Sequence, residues 1–432
     1  MPSKPLVKSS AAILLILVCL VCAIAGAERF QRSKKMPIAI SADDDAFLED
    51  LSKRSFQYFL DQADPHTGLV RDRARSSGAP ANEIASTAAT GFGLTALTIG
   101  AERKWITRVE GKERTRTTLK FLSALTNEHG WYYHFLDPKD GSRQWKSEAS
   151  SIDTALLMAG VLTARQYFSE DAEIKRLATQ IYQRIDFKWM LDEHPTLLSH
   201  GWRPENGFIK HRWDHYCELM ILYVLGISSP TNPLPESSWY AWRRDWMTYG
   251  QYRYVANPDP LFVHQFSHAW IDFRGFRERK PPNVNYFDNS IIATRAHRQF
   301  CLDLAKEFPG YTENVWGITA SDSARGYVAW GGPPRHKAID GTVVPCAAAG
   351  SLMFTPDISV PALREMRNKF GEKIYGKYGF VDAFNPNNGW VDGDVIGIDI
   401  GITLLSAENL RSGHVWRWFM KNSEIRKTLD RL

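Results

Sequence analysis

Apolar residues recur every three or four positions along most of the chain, and strict alternation of apolar and polar positions is scarce. The first spacing lines one face of an α-helix and the second marks a half-buried strand, so the pattern predicts an all-α protein. The segments that carry it are residues 44–61, 84–100, 113–126, 151–168, 170–185, 214–226, 236–249, 288–306, 344–353, 358–370, 397–411 and 413–424. Between them, the connections 198–213, 251–287 and 307–343 are rich in Pro, Gly, Asn and Trp. They reach or exceed the ~12–15 residues of ordinary loops, the length at which loops tend to carry function. About a dozen helices joined by short and long connections fit a toroid of two concentric helix rings, with the long loops building a cleft at one end. A solenoid of stacked helix pairs has the same local signature.

The N-terminus departs from this pattern. Lys4 and Lys8 precede an apolar run from Ala11 to Ala27 that closes on Ala25-Gly26-Ala27. A basic start, a short apolar stretch and small residues at its end are the marks of a secretory signal peptide. A retained anchor is the second reading, although the run falls short of the ~20 residues that span a bilayer. Val21 before Cys22 argues against a lipoprotein, and Cys19 and Cys22 lie inside the segment to be removed. No Pro/Ser/Gly linker divides the remainder. The expected organisation is a signal peptide at 1–27, a linker at 28–43 and one catalytic domain at 44–432, periplasmic or secreted.

Composition narrows the partner. The chain has 53 basic and 48 acidic residues, a net charge of +5, and no long basic tract. That balance argues against nucleic acid and for a neutral ligand. Its 15 Trp, 16 Tyr and 22 Phe offer flat apolar faces that suit sugar rings. Cys217, Cys301 and Cys346 are too few, and odd in number, to form a disulfide framework even after export. A packed core must therefore supply the stability. A monomer without cofactor is expected, with no membrane contact beyond the signal segment.

Cleaving a glycosidic bond normally needs one carboxylic acid to protonate the leaving oxygen and a second carboxylate across the sugar as base or nucleophile. In Trp213-Asp214-His215-Tyr216-Cys217-Glu218 the two acids are four apart, a spacing that shares a helix face, and Glu218 leads into the apolar run Leu219 to Leu225. Burial there raises a carboxyl pKa, as a general acid near neutral pH requires, whereas an ion pair lowers it. Both roles stay open for Glu218, and Asp214 can equally cap a helix. In Glu148-Ala149-Ser150-Ser151-Ile152-Asp153 a Ser-rich turn delivers Asp153 into the first turn of an apolar helix, where capping and cleft roles are again both open. Asp399, alone among apolar residues in Gly397-Ile398-Asp399-Ile400-Gly401, is the best candidate base.

The long connections and the loop around Trp390 hold further candidates: His264 and His268, Asp288 and Asn289, Trp316 through Asp322, and Trp390 itself. With Trp213 they form the expected sugar-binding rim, in which amides and carboxylates take hydroxyl groups and indoles take ring faces. His264 and His268 have the spacing of a metal pair, but no His-Glu-x-x-His pattern or Cys ligand set accompanies them, so no metal is expected. A phosphate-cradling Gly-rich loop and a Gly-x-Ser-x-Gly elbow are both missing from the sequence. Gly91-Phe92-Gly93-Leu94-Thr95-Ala96 matches the loose dinucleotide pattern but follows helical sequence, and reads as close helix packing.

Several ordered motifs carry a family resemblance. They are Ala88-Ala89-Thr90-Gly91-Phe92-Gly93-Leu94-Thr95-Ala96 with Ile99-Gly100-Ala101-Glu102-Arg103, Ser150-Ser151-Ile152-Asp153-Thr154-Ala155-Leu156-Leu157, Trp213-Asp214 through Glu218-Leu219-Met220, Phe287-Asp288-Asn289, and Tyr378-Gly379-Phe380-Val381-Asp382-Ala383-Phe384-Asn385 through Gly397-Ile398-Asp399. From about residue 45 to 420 the chain resembles the glycoamylase-like domain of the bacterial endo-β-1,2-glucanases, glycoside hydrolase family 144. The resemblance implies an (α/α)6 toroid, no metal, and hydrolysis of β-1,2-glucan to sophoro-oligosaccharides with inversion at the anomeric carbon. Release of sophorose from a chain end, a transglycosylating or phosphorolytic enzyme, and a non-catalytic glycan-binding protein are the alternatives on the same scaffold. By the matching motifs Glu218 takes the acid role and Asp399 the base role, with Glu148, Asp153 and Asp214 as acidic cleft residues. Where the family pattern continues with Gln-Gly-Pro after that Asp, this chain has Ile400-Gly401-Ile402, which changes the groups able to hydrogen-bond beside Asp399.

Overall fold

Six helices have sequences with few charges and are buried on nearly every side: α2 (Thr87–Glu102), α4 (Ser151–Tyr167), α6 (Met220–Ser228), α8 (Phe266–Trp270), α10 (Pro345–Ala349) and α12 (Gly397–Arg411). They alternate along the chain with α1 (Ala42–Asp61), α3 (Arg108–Ala124), α5 (Ala172–Gln183), α7 (Ser237–Ala241), α9 (Tyr286–Leu304) and α11 (Pro356–Phe370), which bury one face and leave the other to solvent. A helix apolar all round must be covered on all sides, and an amphipathic one covers it, so this alternation gives an inner and an outer layer. α2 packs on α4, α4 on α6, and α12 on α2, α8 and α10; Ser267 of α8 bonds the start of α6 and Gln265, just before α8, bonds α10, which closes the inner ring. The architecture is the expected (α/α)6 toroid. Two C-terminal helices, α13 (His414–Phe419) and α14 (Ser423–Leu429), pack against α4 and α6 respectively. This computed structural model describes residues 40–432; the expected signal peptide lies outside the described residues. No helix among the described residues is long and apolar enough to cross a membrane.

Short antiparallel ladders hold one end of the inner ring. Arg73–Arg75 pairs with Asp394–Ile396, Ala85–Ser86 with Phe135–Leu136, and Ala149–Ser150 with Gly201–Arg203. One strand of each pair runs directly into an inner helix: α12, α2 and α4 in turn. Ser86 and Ser150 then cap α2 and α4, their hydroxyls accepting the Ala89 and Asp153 N–H groups. The ladders therefore fix where those helices begin, and the starts of the inner helices face a common mouth.

Two expected helices are corrected. Residues 214–219 are irregular and α6 starts only at Met220, because the segment bonds outside itself: Arg243 N–H donates to the Asp214 carbonyl, and Tyr216 N–H to the Arg243 carbonyl. Asp214 and Glu218 therefore share no helix face. The segment 236–249 is helical only over Ser237–Ala241; Trp246–Tyr249 pairs with Tyr252–Val255 as a hairpin turning at Gly250, whose φ is +54°. The connection 251–287, expected as a loop, contains α8.

The Gly-x-Gly segment in α2 packs as its sequence suggests. A methyl placed on Gly160 of α4 would lie 2.0 Å from the Gly91 carbonyl oxygen, and one on Gly91 would lie 2.3 Å from the Leu156 carbonyl oxygen. The two inner helices touch backbone to backbone, where neither side can rotate away. Gly160→Ala is expected to lower stability by about 3 kcal/mol, because overpacking outweighs the ~1 kcal/mol gain in helix propensity. A denaturant titration with unchanged slope checks this.

Candidate active site

At the mouth of the inner ring lies a cleft of about 330 Å³ whose walls include Glu218, Asp399, Asp153, Asp72, Arg73 and His134. Glu218 sits in the turn just before α6. Ser267 of α8 fixes it: the hydroxyl donates to the Glu218 carbonyl oxygen at 2.6 Å and accepts the Ile221 N–H at 2.9 Å. No cationic side chain lies within 4.0 Å of its carboxylate among the described residues. Burial, reinforced by the charges of Asp259 and Asp153, pushes its pKa up to about 7. Of the two roles open for Glu218, this environment fits the unpaired acid and not the ion pair.

Asp399 occupies the first turn of α12 with its side chain buried. Burial is again the largest influence and raises its pKa to about 6; hydrogen bonds from Asp382 and Cys346 act against it, while the charges of Asp72 and Asp322 add to it. Ile400 packs into the core. The groups placed against the Asp399 carboxyl thus come from elsewhere in the fold, while Thr403 after it bonds only its backbone carbonyl, which answers the departure at 400–402. In the ring order α2, α4, α6, α8, α10, α12, Glu218 and Asp399 stand at helices three steps apart. They enter the cleft from opposite sides.

Glu148 and Asp153 bracket His134. His134 Nδ1 is 3.2 Å from Glu148 and Nε2 is 3.5 Å from Asp153. Burial alone would discharge the imidazole, but Asp153, Glu148 and Asp72 outweigh it and raise its pKa to about 9. Glu148 also meets Arg203 at 3.0 Å. Burial opposes its ionisation, yet His134 and Arg203 hold it down at about 2. Both acids are therefore engaged in a charged network. Arg73 does the same on the neighbouring wall, reaching Asp72 at 3.2 Å and Asp322 at 2.7 Å.

Two groups of donors lie close enough to share an ion, with atoms within 4.8 Å of one another: His134 with Glu148 and Asp153, and Asp322 with Asp382 and Asp392. The first is already neutralised by its own imidazolium, and the second has the Arg73 guanidinium on Asp322. His264 and His268 share no ligand position. His264 pairs with the Tyr216 hydroxyl and His268 with Ser290, and burial lowers both to about 3.

Several other expected rim residues are also not on the cleft. Trp213 and Trp316 are buried, the Trp213 indole N–H donating to Ser151. Asn289 is buried and bonds the Val255 backbone in both directions. Asp288 lies in the first turn of α9, and Trp390 in the hairpin with Phe384–Asn385. Asp214 is bound to His215 at 2.8 Å. The aromatic walls come instead from residues the sequence did not single out. Phe135 stacks on His134 with centroids 3.9 Å apart and meets the edge of Trp145. Trp145 is 60% exposed, and both it and Lys146 hold left-handed backbone, φ +53° and +51°. Tyr327, 57% exposed, also lines the cleft. Two successive non-glycine residues in that region carry backbone strain, as Asp192 and Glu193 also do.

Comparison with known proteins finds relatives with this fold. A family model described as "Putative glucoamylase" matches residues 210–423. The solved structure of a putative glucoamylase of Bacteroides fragilis is 30% identical, with a TM-score of 0.84 over 92% of this chain and 99% of that one. The endo-β-1,2-glucanase of Chitinophaga pinensis, solved with sophorotriose and glucose, is 29% identical, with a TM-score of 0.82 over 91% of this chain and 98% of that one. An exo β-1,2-glucooligosaccharide sophorohydrolase of Parabacteroides distasonis is 29% identical over 90% of this chain. The present chain spans 58% of that relative's length. The toroid, the cleft at the starts of its inner helices and these likenesses lead to one assignment: the chain belongs to the glycoamylase-like family.

Proposed function

We propose that this protein hydrolyses β-1,2-linked glucan, with Glu218 as general acid and Asp399 as general base, inverting the anomeric configuration. The observation that carries the reading is the placement of two carboxyls with raised pKa at the starts of opposite inner helices, facing one aromatic-walled cleft. An acid near 7 is protonated often enough to serve the leaving oxygen, and a base near 6 is ionised often enough to take a proton from water. Entry from opposite sides leaves the sugar between them, as glycoside hydrolysis requires, and a separation of ~6.5 Å or more, with room for the attacking water, is what inversion adds. The β-1,2 linkage is supported by the relatives, whose names specify it. Export is part of the proposal and rests on residues 1–27 alone.

Product analysis tests this reading. Linear β-1,2-glucan should yield sophoro-oligosaccharides or sophorose while β-1,3- and β-1,4-glucans stay uncut; no cleavage of any of them rejects it. Sophorose alone from the first minutes indicates chain-end attack, and a ladder of lengths indicates internal attack. NMR of the earliest products should show the α anomer.

Trp145 is expected to serve as a stacking face. Trp145→Ala should raise KM about 5-fold and leave kcat nearly unchanged, since one aromatic platform contributes roughly 1 kcal/mol. Thermal unfolding should be unaffected, because the indole is exposed.

A further inference from the structure

Asp382 lies just past the short strand Gly379–Phe380 and is only 3% exposed. One of its oxygens, Oδ2, accepts the Asp322 N–H at 2.7 Å. The other, Oδ1, is buried with no hydrogen-bond donor. Asp399, itself a buried carboxyl, lies beside it, and its charge adds to the burial that raises the Asp382 pKa. The two share, with Cys346, a pocket of about 10 Å³, which holds one water at most and leaves no room for a hydrated ion. Two buried carboxylates in contact cannot both be charged, and an acceptor facing an acceptor is satisfied only by a proton between them.

We propose that Asp382 is a positioning residue that carries this proton and donates it as a hydrogen bond to the Asp399 carboxylate. The inference rests on the reading of Asp399 as the base. The surroundings decide which partner is protonated. Asp399 shares its pocket with the Cys346 thiol, from α10, and faces Asp72 and Asp322, both of which Arg73 holds in ion pairs; Tyr327 lines the cleft with it. Asp382 has a single backbone donor and Asp392 as a further negative neighbour, and burial drives its pKa well above the ordinary carboxyl range. The proton therefore rests on Asp382, leaving Asp399 ionised, oriented and free to act at neutral pH. A protonated carboxylic acid used as a fixed hydrogen-bond donor is a known device of apolar sites.

Infrared spectroscopy at pH 8 reads the proton directly, without turnover. It is best done in the Glu218→Gln background, which removes the carboxyl whose pKa lies near 7. The expected result is a carbonyl band of a protonated carboxyl that disappears when Asp382→Asn is added. No such band, or a band that survives Asp382→Asn, overturns the proposal. Activity gives a second readout. Asp382→Asn, whose amide still donates, should lose no more than about 10-fold in kcat/KM and keep the acid limb of the pH profile in place. Asp382→Ala should lose about 100-fold and shift that limb upward by about one pH unit, as Asp399 loses its donor. Equal losses in both variants with no shift of the limb would reduce Asp382 to a packing role. Absence of glucanase activity in the wild type would reject the proposed function but leave the infrared result standing.

Discussion

Glu218→Gln is expected to lower kcat on β-1,2-glucan by about 1,000-fold or more while making the folded protein more stable. Glutamine keeps the shape of the side chain and cannot deliver a proton, and a positioned general acid contributes roughly 10²–10⁴ in rate. The loss should be selective. A substrate with a leaving group acidic enough to depart unprotonated, such as a dinitrophenyl glycoside, should recover most of its rate. The alkaline limb of kcat/KM, set by Glu218 near 7, should vanish. The stability change has the opposite sign to that of a structural ion pair. The folded pKa of Glu218 lies above the ordinary value of 4.5, so folding opposes its ionisation. That penalty is absent below about pH 4.5, grows as pH rises through 7, and is constant beyond. Allowing for the partial exposure of the side chain, its removal should stabilise the protein by about 2 kcal/mol at pH 8 and by almost nothing at pH 4. Breaking a buried ion pair would instead cost about 3–5 kcal/mol. Denaturant titration of both proteins at the two pH values separates the roles.

The helices most legible in the sequence are those whose burial is settled by their own residues. Gly397–Arg411 matches its expected bounds, because an apolar, glycine-spaced run is helical wherever it is buried. The segment before Glu218 misled because residues 214–218 share the spacing of the helix that follows, while their backbone bonds go to Arg243. Trp246–Tyr249 is decided by pairing with Tyr252–Val255, a contact that helix periodicity does not register. The site divides in the same way. Glu218 and Asp399 stand out as single acids embedded in apolar sequence, a local signal of enforced burial. His134 and Asp382 show nothing of the kind. A bridge to a distant segment brings each into place, Tyr133 to Ala149 setting His134 on the cleft and Val343 to Phe384 setting Asp382 in the small pocket it shares with Asp399, and neither position is special until that pairing exists. His264, His268 and Trp316 make the converse error instructive. Their chemistry suits a sugar site, but residue type does not tell which side of a helix ring it will face, and the fold turns them into the core.

Asp399→Ala is expected to lose at least 1,000-fold in kcat and to be rescued by azide, which separates a base from an acid more sharply than the loss alone. With the carboxylate gone, no group takes the proton from the attacking water. A small anion that needs no deprotonation can enter the vacated space and attack in its place. If Asp399 is the base of an inverting enzyme, the rescued product is the α-glycosyl azide, opposite in configuration to the β-linkage cleaved; a β-azide would instead mark Asp399 as the acid/base of a retaining enzyme, and a retaining nucleophile, which also gives the α-azide, is told apart by the β anomer of the wild-type product. The pH dependence gives the same assignment by another route. The base must be ionised, so kcat/KM of the wild type should fall as pH drops through about 6, the value to which burial raises Asp399. The acid must be protonated, so it should fall again as pH rises through about 7. With the two values only about one unit apart, the active range is a narrow bell, and at its summit only part of the enzyme holds both protons correctly. Asp399→Ala rescued by azide should lack the acid limb and keep the alkaline one, the mirror of the profile expected for Glu218→Gln. Loss of the alkaline limb in Asp399→Ala would exchange the two roles.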